Sequence, residues 1–433
     1  MTAAPTPSDA EASAVRKVFG RIAVACAVIY VVAYLDRINT GFAALSMNKE
    51  LGLSATAFGI ANTTLFLAYS AFEVPSTMLL VRMGTRRWLA RIMITWGLAS
   101  MATIFAVGPY SLYVLRALVG LAEAGLMPGL LFYISLWFPL AHRARANAIY
   151  LASLPLSLVI GGPVSGFLLE MDGFLGLAGW RWLFLVEGAP AIILGIAVLY
   201  WLPNTPAEAR WLTAPEKEAL QARLDQERAS SPPSPGGFWT QIARPQVILL
   251  ALSFFGVLAT VSTLAIWTPQ IVKEVVGGSR PLVIGFLSAV PPLVAVVFMQ
   301  WISRRSDLRR ERAGHLMAVM ALAALGWVMV IYMPLPALKL AGLACCASGV
   351  YAAFAIFWAA VAQILGDRNR ALVMAAIQSV ALIASVVSPL VLGALRDATH
   401  NFYAGAWYTA ILLVLSVGLF AMAARWQPAK APE

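Results

Sequence analysis

Long apolar stretches, separated by short segments rich in charge, Gly or Pro, recur along nearly the whole chain. Their lengths are close to or above the roughly 20 residues that an α-helix needs to cross the hydrocarbon core of a bilayer. The pattern predicts twelve such helices, numbered 1 to 12 in chain order: 22–45, 58–81, 88–107, 112–138, 146–169, 182–202, 247–271, 281–302, 316–333, 338–365, 371–395 and 404–426. We therefore expect an all-α integral membrane protein.

One long hydrophilic stretch, 203–242, separates the predicted helices into two groups of six. Within it Thr213 and Glu216 have the spacing of a helix capping box, and SSPPSPGG is typical of a flexible linker. Two groups of nearly equal length indicate an internal duplication, which is common in secondary transporters. We expect the following units: a disordered cytoplasmic tail at 1–17, pseudo-symmetric six-helix bundles at 18–202 and 243–426, a cytoplasmic linker with a short amphipathic helix at 203–242, and a C-terminal tail at 427–433.

Composition supports the membrane assignment and explains the net charge. The 433 residues are 61% hydrophobic and only 12% charged, whereas soluble domains carry about 25% charged residues. Most of the Lys and Arg residues fall in the tails, the linker and the loops on the same side as the linker. By the positive-inside rule both termini face the cytoplasm of a bacterial cell, in a multi-pass inner-membrane protein. The net charge of +11 is then a topology signal, and we expect no nucleic-acid partner.

Four charged residues stand out deep inside predicted helices, where a charge costs at least ~2.5–3.5 kcal/mol, whereas the acids Glu73 and Glu187 lie nearer helix ends. Asp36 and Arg37 are in helix 1, and Arg116 and Glu123 are in helix 4, seven residues apart on one helix face. One interpretation is that these charges only pair with each other and hold helices 1 and 4 together. Pairing is also compatible with transport, because a permanently charged Arg can bind an anion while a neighbouring carboxylate exchanges a proton.

The predicted helices of the second half carry neutral polar and aromatic residues and no charge in the middle of the membrane. Those in helices 7, 10 and 11 are Thr260, Ser262, Thr263, Trp267, Tyr351, Trp358, Gln378 and Ser385. Ordinary helix packing is an alternative role for each of them. The three Cys residues lie in apolar runs and the three His residues lie outside the predicted helices. No metal-ligand cluster, nucleophile motif or glycine-rich phosphate loop is present, so we expect no metal, no cofactor beyond a proton gradient, and no enzyme activity.

Several motifs resemble a known family. They are YLDRINTGFAAL at 34–45, LRALVGLAEAGLMPG at 115–129 with WFP and RARANA after it, and GWRWLFLVEGAPA at 179–191. They resemble the anion:cation symporter branch of the major facilitator superfamily, which includes bacterial carriers of sugar acids, tartrate and aromatic carboxylates, and also sialin. The resemblance covers essentially the whole chain. It implies the major facilitator fold and a proton-coupled symporter, a functional monomer in the lipid bilayer, that imports a small organic anion by alternating access.

The resemblance also implies roles for individual residues. Substrate would be bound by Arg37, Arg116 and Tyr69 in the first half and by Trp358 and Gln378 in the second, and Asp36 and Glu123 would carry protons. Tyr34 shares a helix face with Arg37, so we expect it at the same site. The helix 5 Gln of the sugar-acid carriers is absent, with Leu154 at about its position. This absence favours dicarboxylates, short hydroxy acids and aromatic carboxylates over long sugar acids.

The loop between helices 2 and 3, VRMGTRR, is similar to a cytoplasmic motif of the same superfamily. We predict that its residues Arg82, Gly84, Arg86 and Arg87 belong to a cytoplasmic gate, together with Asp307 in the equivalent loop of the second half. Thr77 and Val81 replace a glycine and an aspartate of the motif, which weakens this prediction for the first loop.

An alternative function is a drug/proton antiporter that exports small amphipathic compounds. GGPVSG at 161–166 partly resembles a signature of drug exporters. Two arginines within the membrane disfavour a cationic drug, since like charges repel strongly at low dielectric. We therefore rank this alternative below organic-anion symport.

Overall fold

The computed structural model describes residues 9–229, 243–309, 311–365 and 370–425. Every regular element in these ranges is helical, and twelve helices are long and apolar enough to cross a membrane. The predicted all-α class and the twelve helices are thus confirmed. The residues predicted as the C-terminal tail, 427–433, lie outside the described ranges, as do 230–242 of the predicted linker.

The helices are numbered α1 to α12 in the order of the predicted ones. In the first half they are α1 Asp9–Glu50, α2 Ala55–Met83, α3 Thr85–Met101, α4 Pro109–Trp137, α5 Leu140–Leu169 and α6 Gly179–Trp201. In the second half they are α7 Pro245–Val275, α8 Pro281–Arg309, α9 Ala313–Tyr332, α10 Pro336–Leu365, α11 Arg370–Thr399 and α12 Tyr403–Arg425. A separate linker helix, Ala214–Ala229, connects the halves.

The N-terminal tail differs from the prediction. Of the residues predicted as disordered, 9–17 form a helix, Asp9–Val18, which we call the N-terminal segment and which continues through a π-helical turn at Phe19–Ala23 into the rest of α1. The N-terminal segment packs on the linker helix, where Lys17 Nζ lies 2.8 Å from Glu216 and Ser13 Oγ donates to Glu216 at 2.7 Å. The linker helix supplies a partner about 200 residues away in sequence, which the local pattern of the tail does not reveal.

Helix α4 is broken, although its sequence predicts one continuous helix. It consists of Pro109–Glu123 and Leu126–Trp137, and Gly125 between them has a left-handed φ of 87°. Backbone groups released by a break need new partners inside a membrane. The carbonyl of Ala124 accepts a hydrogen bond from Ser76 Oγ at 2.6 Å, which provides one. The break therefore places Glu123 at the end of a helical segment, beside α2.

The two halves meet closely at the far side, which we define as the end of the bundle where α1 ends and α2 begins. Small residues let helix backbones approach there: a Cβ on Gly162 of α5 would lie 2.4 Å from the carbonyl oxygen of Gly285 in α8. Asp397 of α11 accepts hydrogen bonds from the backbone N–H groups of Ala55 and Thr56, at 2.9 and 2.8 Å. A carboxylate at a helix N-terminus is a favourable pairing. These contacts hold the far side closed.

Glu216 determines how the N-terminal segment docks. Its carboxylate accepts hydrogen bonds from Lys17 Nζ, the Thr213 backbone N–H and Ser13 Oγ, which together lower the pKa of Glu216 to about 2. Because the pKa of Glu216 is lowered in the folded state, the docking is at full strength at any pH above the ordinary pKa range of Glu. The docking is then lost as the pH falls toward 2.

We expect Glu216→Gln to release the N-terminal segment at neutral pH, because a neutral amide loses the ion pair with Lys17 and keeps only one of the two acceptor oxygens. Trypsin should then cleave after Lys17 faster than in the wild type. Glu218→Gln, two residues away in the same helix and exposed, is the matched control. In the wild type, the distance between spin labels on the N-terminal segment and the linker helix should stay constant down to the ordinary Glu range and lengthen below it. Equal cleavage rates for both variants would contradict the assignment.

Candidate substrate and proton site

The charged residues of α1 and α4 lie together inside the first half. Asp36, Arg116 and Glu123 are buried, and Arg37 is mostly buried with its side chain 20% exposed. The predicted grouping of these four residues near the middle of two helices is thus observed. Their pairing, described next, decides what the site can bind.

Arg37 pairs with Glu123 and lies among aromatic rings. Its Nη2 donates to Glu123 Oε1 in an ion pair between α1 and α4. The guanidinium carbon lies 5.8, 5.7 and 5.5 Å from the ring centroids of Tyr34, Phe66 and Tyr69. These distances are within the range of cation–π attraction. Tyr34 and Tyr69 therefore contact the cation that the sequence assigned to the substrate.

Arg116 has no such partner. Its side chain is 1% exposed, and both Nε and Nη1 lack a hydrogen-bond acceptor. Asp36 and Glu123 are the nearest acids that act on it electrostatically, but neither forms an ion pair with it among the described residues. Buried polar atoms are nearly always hydrogen-bonded. A buried guanidinium with free donors is therefore suited to binding an added anion, which it contacts in a planar, bidentate geometry.

Asp36 faces away from the Arg37–Glu123 pair, toward α3. Its carboxylate accepts from Asn39 Nδ2 at 2.9 Å, from Trp96 Nε1 at 2.7 Å and from Ser100 Oγ. Three neutral donors satisfy a charged carboxylate well. Sequence reasoning missed Trp96 and Ser100. The signal was available, since they are two hydrogen-bonding residues four apart in the uncharged stretch 92–101 of α3.

The second half contributes differently from the expectation. Trp358, which is partly exposed, packs edge-on against Phe254 of α7 with ring centroids 4.9 Å apart, and Gln378 is partly exposed on α11. No described contact joins either residue to Arg37 or Arg116, so their binding roles stay predictions. Tyr351 and Ser288 are buried, their hydroxyls have no partner, and both line a small cavity that reaches Ile38 of α1. Unpaired hydroxyls of the second half thus lie beside the helix that carries Arg37.

The sequence model described as Major Facilitator Superfamily matches residues 26–389. The chain belongs to the major facilitator superfamily. As a member of that superfamily it is a multi-pass membrane transporter and not an enzyme.

Individual relatives agree with this assignment. The chain is 41% identical to the “Putative tartrate transporter” of Agrobacterium vitis over 97% of both chains. It is 35% identical to the “Quinolone resistance transporter” of Acinetobacter baumannii over 94% of both chains. Its fold is similar to the inward-facing, unoccupied crystal structure of a bacterial homologue of the human lysosomal transporter Spinster. That similarity has a TM-score of 0.76 at 18% identity and covers 94% of this chain and 98% of the other.

The superfamily motif between α2 and α3 forms a turn held by a residue outside the motif. Gly84 has a φ of 87°, a conformation that favours glycine. The next residue but one, Arg86, donates its backbone N–H to Asn204 Oδ1 at 3.0 Å. Arg82 and Arg87 are exposed, and the side chain of Asp307 lies outside the described part of the chain. The gating role of these residues in this major facilitator protein therefore stays a prediction.

Gly120 allows the site of this transporter to assemble. It lies between Arg116 and Glu123 on α4, and a Cβ there would lie 2.2 Å from the carbonyl oxygen of Leu65 in α2. This close approach holds α4 against the helix that carries Phe66 and Tyr69. Any side chain at this position has to separate the two helices.

We expect Gly120→Ala to lower stability by about 1–3 kcal/mol, the usual cost of overpacking, and to abolish transport by moving Tyr69 away from Arg37. Thermal unfolding in detergent and uptake in proteoliposomes measure the two effects. Gly418→Ala in α12 is the control, since a Cβ there meets no atom within 4 Å. Wild-type stability and uptake in Gly120→Ala would show that α2 and α4 do not need this contact.

Proposed function

We propose that the chain is a proton-coupled symporter that imports a small organic anion, in particular a dicarboxylate or short hydroxy acid, by alternating access. The observation that carries the proposal is the buried guanidinium of Arg116 with two nitrogens that lack an acceptor. A carboxylate satisfies such a fork through charge-assisted hydrogen bonds. The similarity to a tartrate transporter of Agrobacterium vitis supports this substrate class.

The Arg37–Glu123 ion pair supports coupling to protons. While Glu123 is charged it occupies Arg37, and an incoming anion about 4 Å from it is repelled by about 4 kcal/mol at an effective dielectric constant of 20. A proton on Glu123 removes this repulsion and releases Arg37 for the substrate. Substrate and proton are therefore bound together, which is the requirement for symport.

Two further features support import. The basic residues are concentrated on the side of the termini and the linker, which the positive-inside rule assigns to the cytoplasm of a bacterial inner membrane. The far side then faces the periplasm and is closed by the α5–α8 contact and by Asp397 on the N-terminus of α2. Alternating access requires these contacts to separate when substrate enters from outside.

Export of amphipathic compounds is the second candidate function. The similarity to a quinolone resistance transporter of Acinetobacter baumannii favours it, as do the three aromatic rings around Arg37. Uptake of labelled tartrate into proteoliposomes with an inward proton gradient separates the two functions. Accumulation of tartrate supports symport. Exchange of protons for an amphipathic drug in the absence of tartrate supports export.

We expect Arg116→Lys to reduce tartrate uptake by at least ~10-fold, since one lost charge-assisted hydrogen bond of ~1.5–3 kcal/mol corresponds to that change. Lysine keeps the charge but loses the planar fork. The control is Arg21→Lys, because the exposed Arg21 stacks on Trp211 outside the site, 4.9 Å from the ring centroid. Near-normal uptake by Arg116→Lys would show that a point charge is sufficient.

We expect Glu123→Gln to lose proton-driven accumulation and to keep counterflow exchange of substrate, because Arg37 is then permanently available. Glu170→Gln, exposed at the end of α5, is the control and should accumulate normally. Both activities are measured with labelled tartrate in the same proteoliposomes. Accumulation by Glu123→Gln with the wild-type pH dependence would move the coupling site elsewhere, first to Asp36.

A further inference from the structure

Glu187 of α6 is a buried acid outside the Arg37–Glu123 pair. Glu187 is only 5% exposed. Its Oε1 accepts one hydrogen bond from Ser165 Oγ at 2.8 Å, and its Oε2 has no hydrogen-bond partner. Among the described residues no Lys, Arg or His lies within ion-pairing distance of it. An ionised carboxylate in such surroundings costs several kcal/mol, and the group takes up a proton instead.

The charged group that faces Glu187 is another acid. Helix α6 packs against α1, α3 and α5. From α1, Asp36 acts on Glu187 electrostatically. The α3 side chains that donate to Asp36, Trp96 and Ser100, are neutral, and α5 contributes Ser165. Asp36 has three donors and the field of Arg116, whereas Glu187 has one donor. Of these two neighbouring carboxyls, Glu187 has fewer donors and no cation within ion-pairing distance, so its surroundings favour a bound proton.

The partner of Glu187 lies on the turn of α5 that closes the far side. Ser165 is flanked by Gly162 and Gly166, whose added Cβ atoms would lie 2.4 Å from the Gly285 carbonyl oxygen and 2.7 Å from the Pro281 carbonyl oxygen of α8. Separation of α8 from α5 uncovers this turn of α5. Water that reaches it hydrates the carboxyl and permits its ionisation.

We propose that Glu187 is a second proton-binding site, loaded while α8 covers α5 and emptied to water on the far side when the two helices separate. The proton moves between a water molecule and a carboxyl oxygen of Glu187, with no other bond changed. The inference rests on the proposed symport only for its role in transport. The protonated state of Glu187 follows from its surroundings alone.

The first test is independent of any substrate. Infrared spectra of the purified protein at neutral pH should contain a C=O band of a protonated carboxyl group that is missing in Glu187→Gln and retained in Glu170→Gln. Ser165→Ala should shift the band, because the hydrogen bond to Oε1 is lost. Identical bands in the wild type and Glu187→Gln would overturn the proposal, whatever the transported substrate is.

The second test measures protons per substrate. With labelled tartrate in proteoliposomes, the potential at which net flux reverses gives the proton-to-substrate ratio. In the wild type this proton leaves Glu187 toward the far side, opposite to the imported substrate. We therefore expect the net number of protons imported per substrate to be one higher for Glu187→Gln than for the wild type, with counterflow retained. An unchanged ratio would reduce Glu187 to a neutral hydrogen-bonding residue. A wild type that moves tartrate without protons, or does not move it, would instead contradict the proposed function, and the infrared result would still decide the state of Glu187.

Discussion

A charge within the membrane-spanning part of a protein needs a partner, because water is not available to solvate it. The first half of this transporter buries its charges with unequal partners. Arg37 has Glu123, and Asp36 has three neutral donors. Arg116 lacks acceptors and Glu187 has a single donor. The groups left without full partners, Arg116 and Glu187, are the ones to which the proposed anion and the proposed second proton are assigned.

Close helix contacts make this distribution possible. Gly120 brings α4 against α2, and the break at Gly125 ends a helical segment directly after Glu123. The same kind of contact, between Gly162 and Gly285, joins the halves at the far side. Contacts between backbones have no side chains that adjust, so they either form fully or separate. Such contacts suit a protein that alternates between two arrangements.

The halves have divided the chemistry between them. The first half carries the charges, while the second brings aromatic packing around Phe254 and unpaired hydroxyls at Ser288 and Tyr351. A guanidinium fixes a carboxylate, and neutral hydroxyls distinguish the rest of the ligand at lower energetic cost. This division is compatible with the proposed compact hydroxy acid, whose carboxylate would contact the first half and whose uncharged groups would contact the second.

The sequence by itself determined the twelve helices, the division into two halves and the presence of four charges in helices 1 and 4, because hydrophobic runs and embedded charges are local properties. Motif resemblance added the superfamily, which the family comparison confirmed. Only the tertiary structure decided that Glu123 pairs with Arg37 and not with Arg116, and that Asp36 faces Trp96 and Ser100. It also ordered the N-terminal segment against Glu216 and broke α4 at Gly125. Each of these features depends on which faces of distant helices pack together. The helical periodicity of a sequence shows only which residues share a face of one helix.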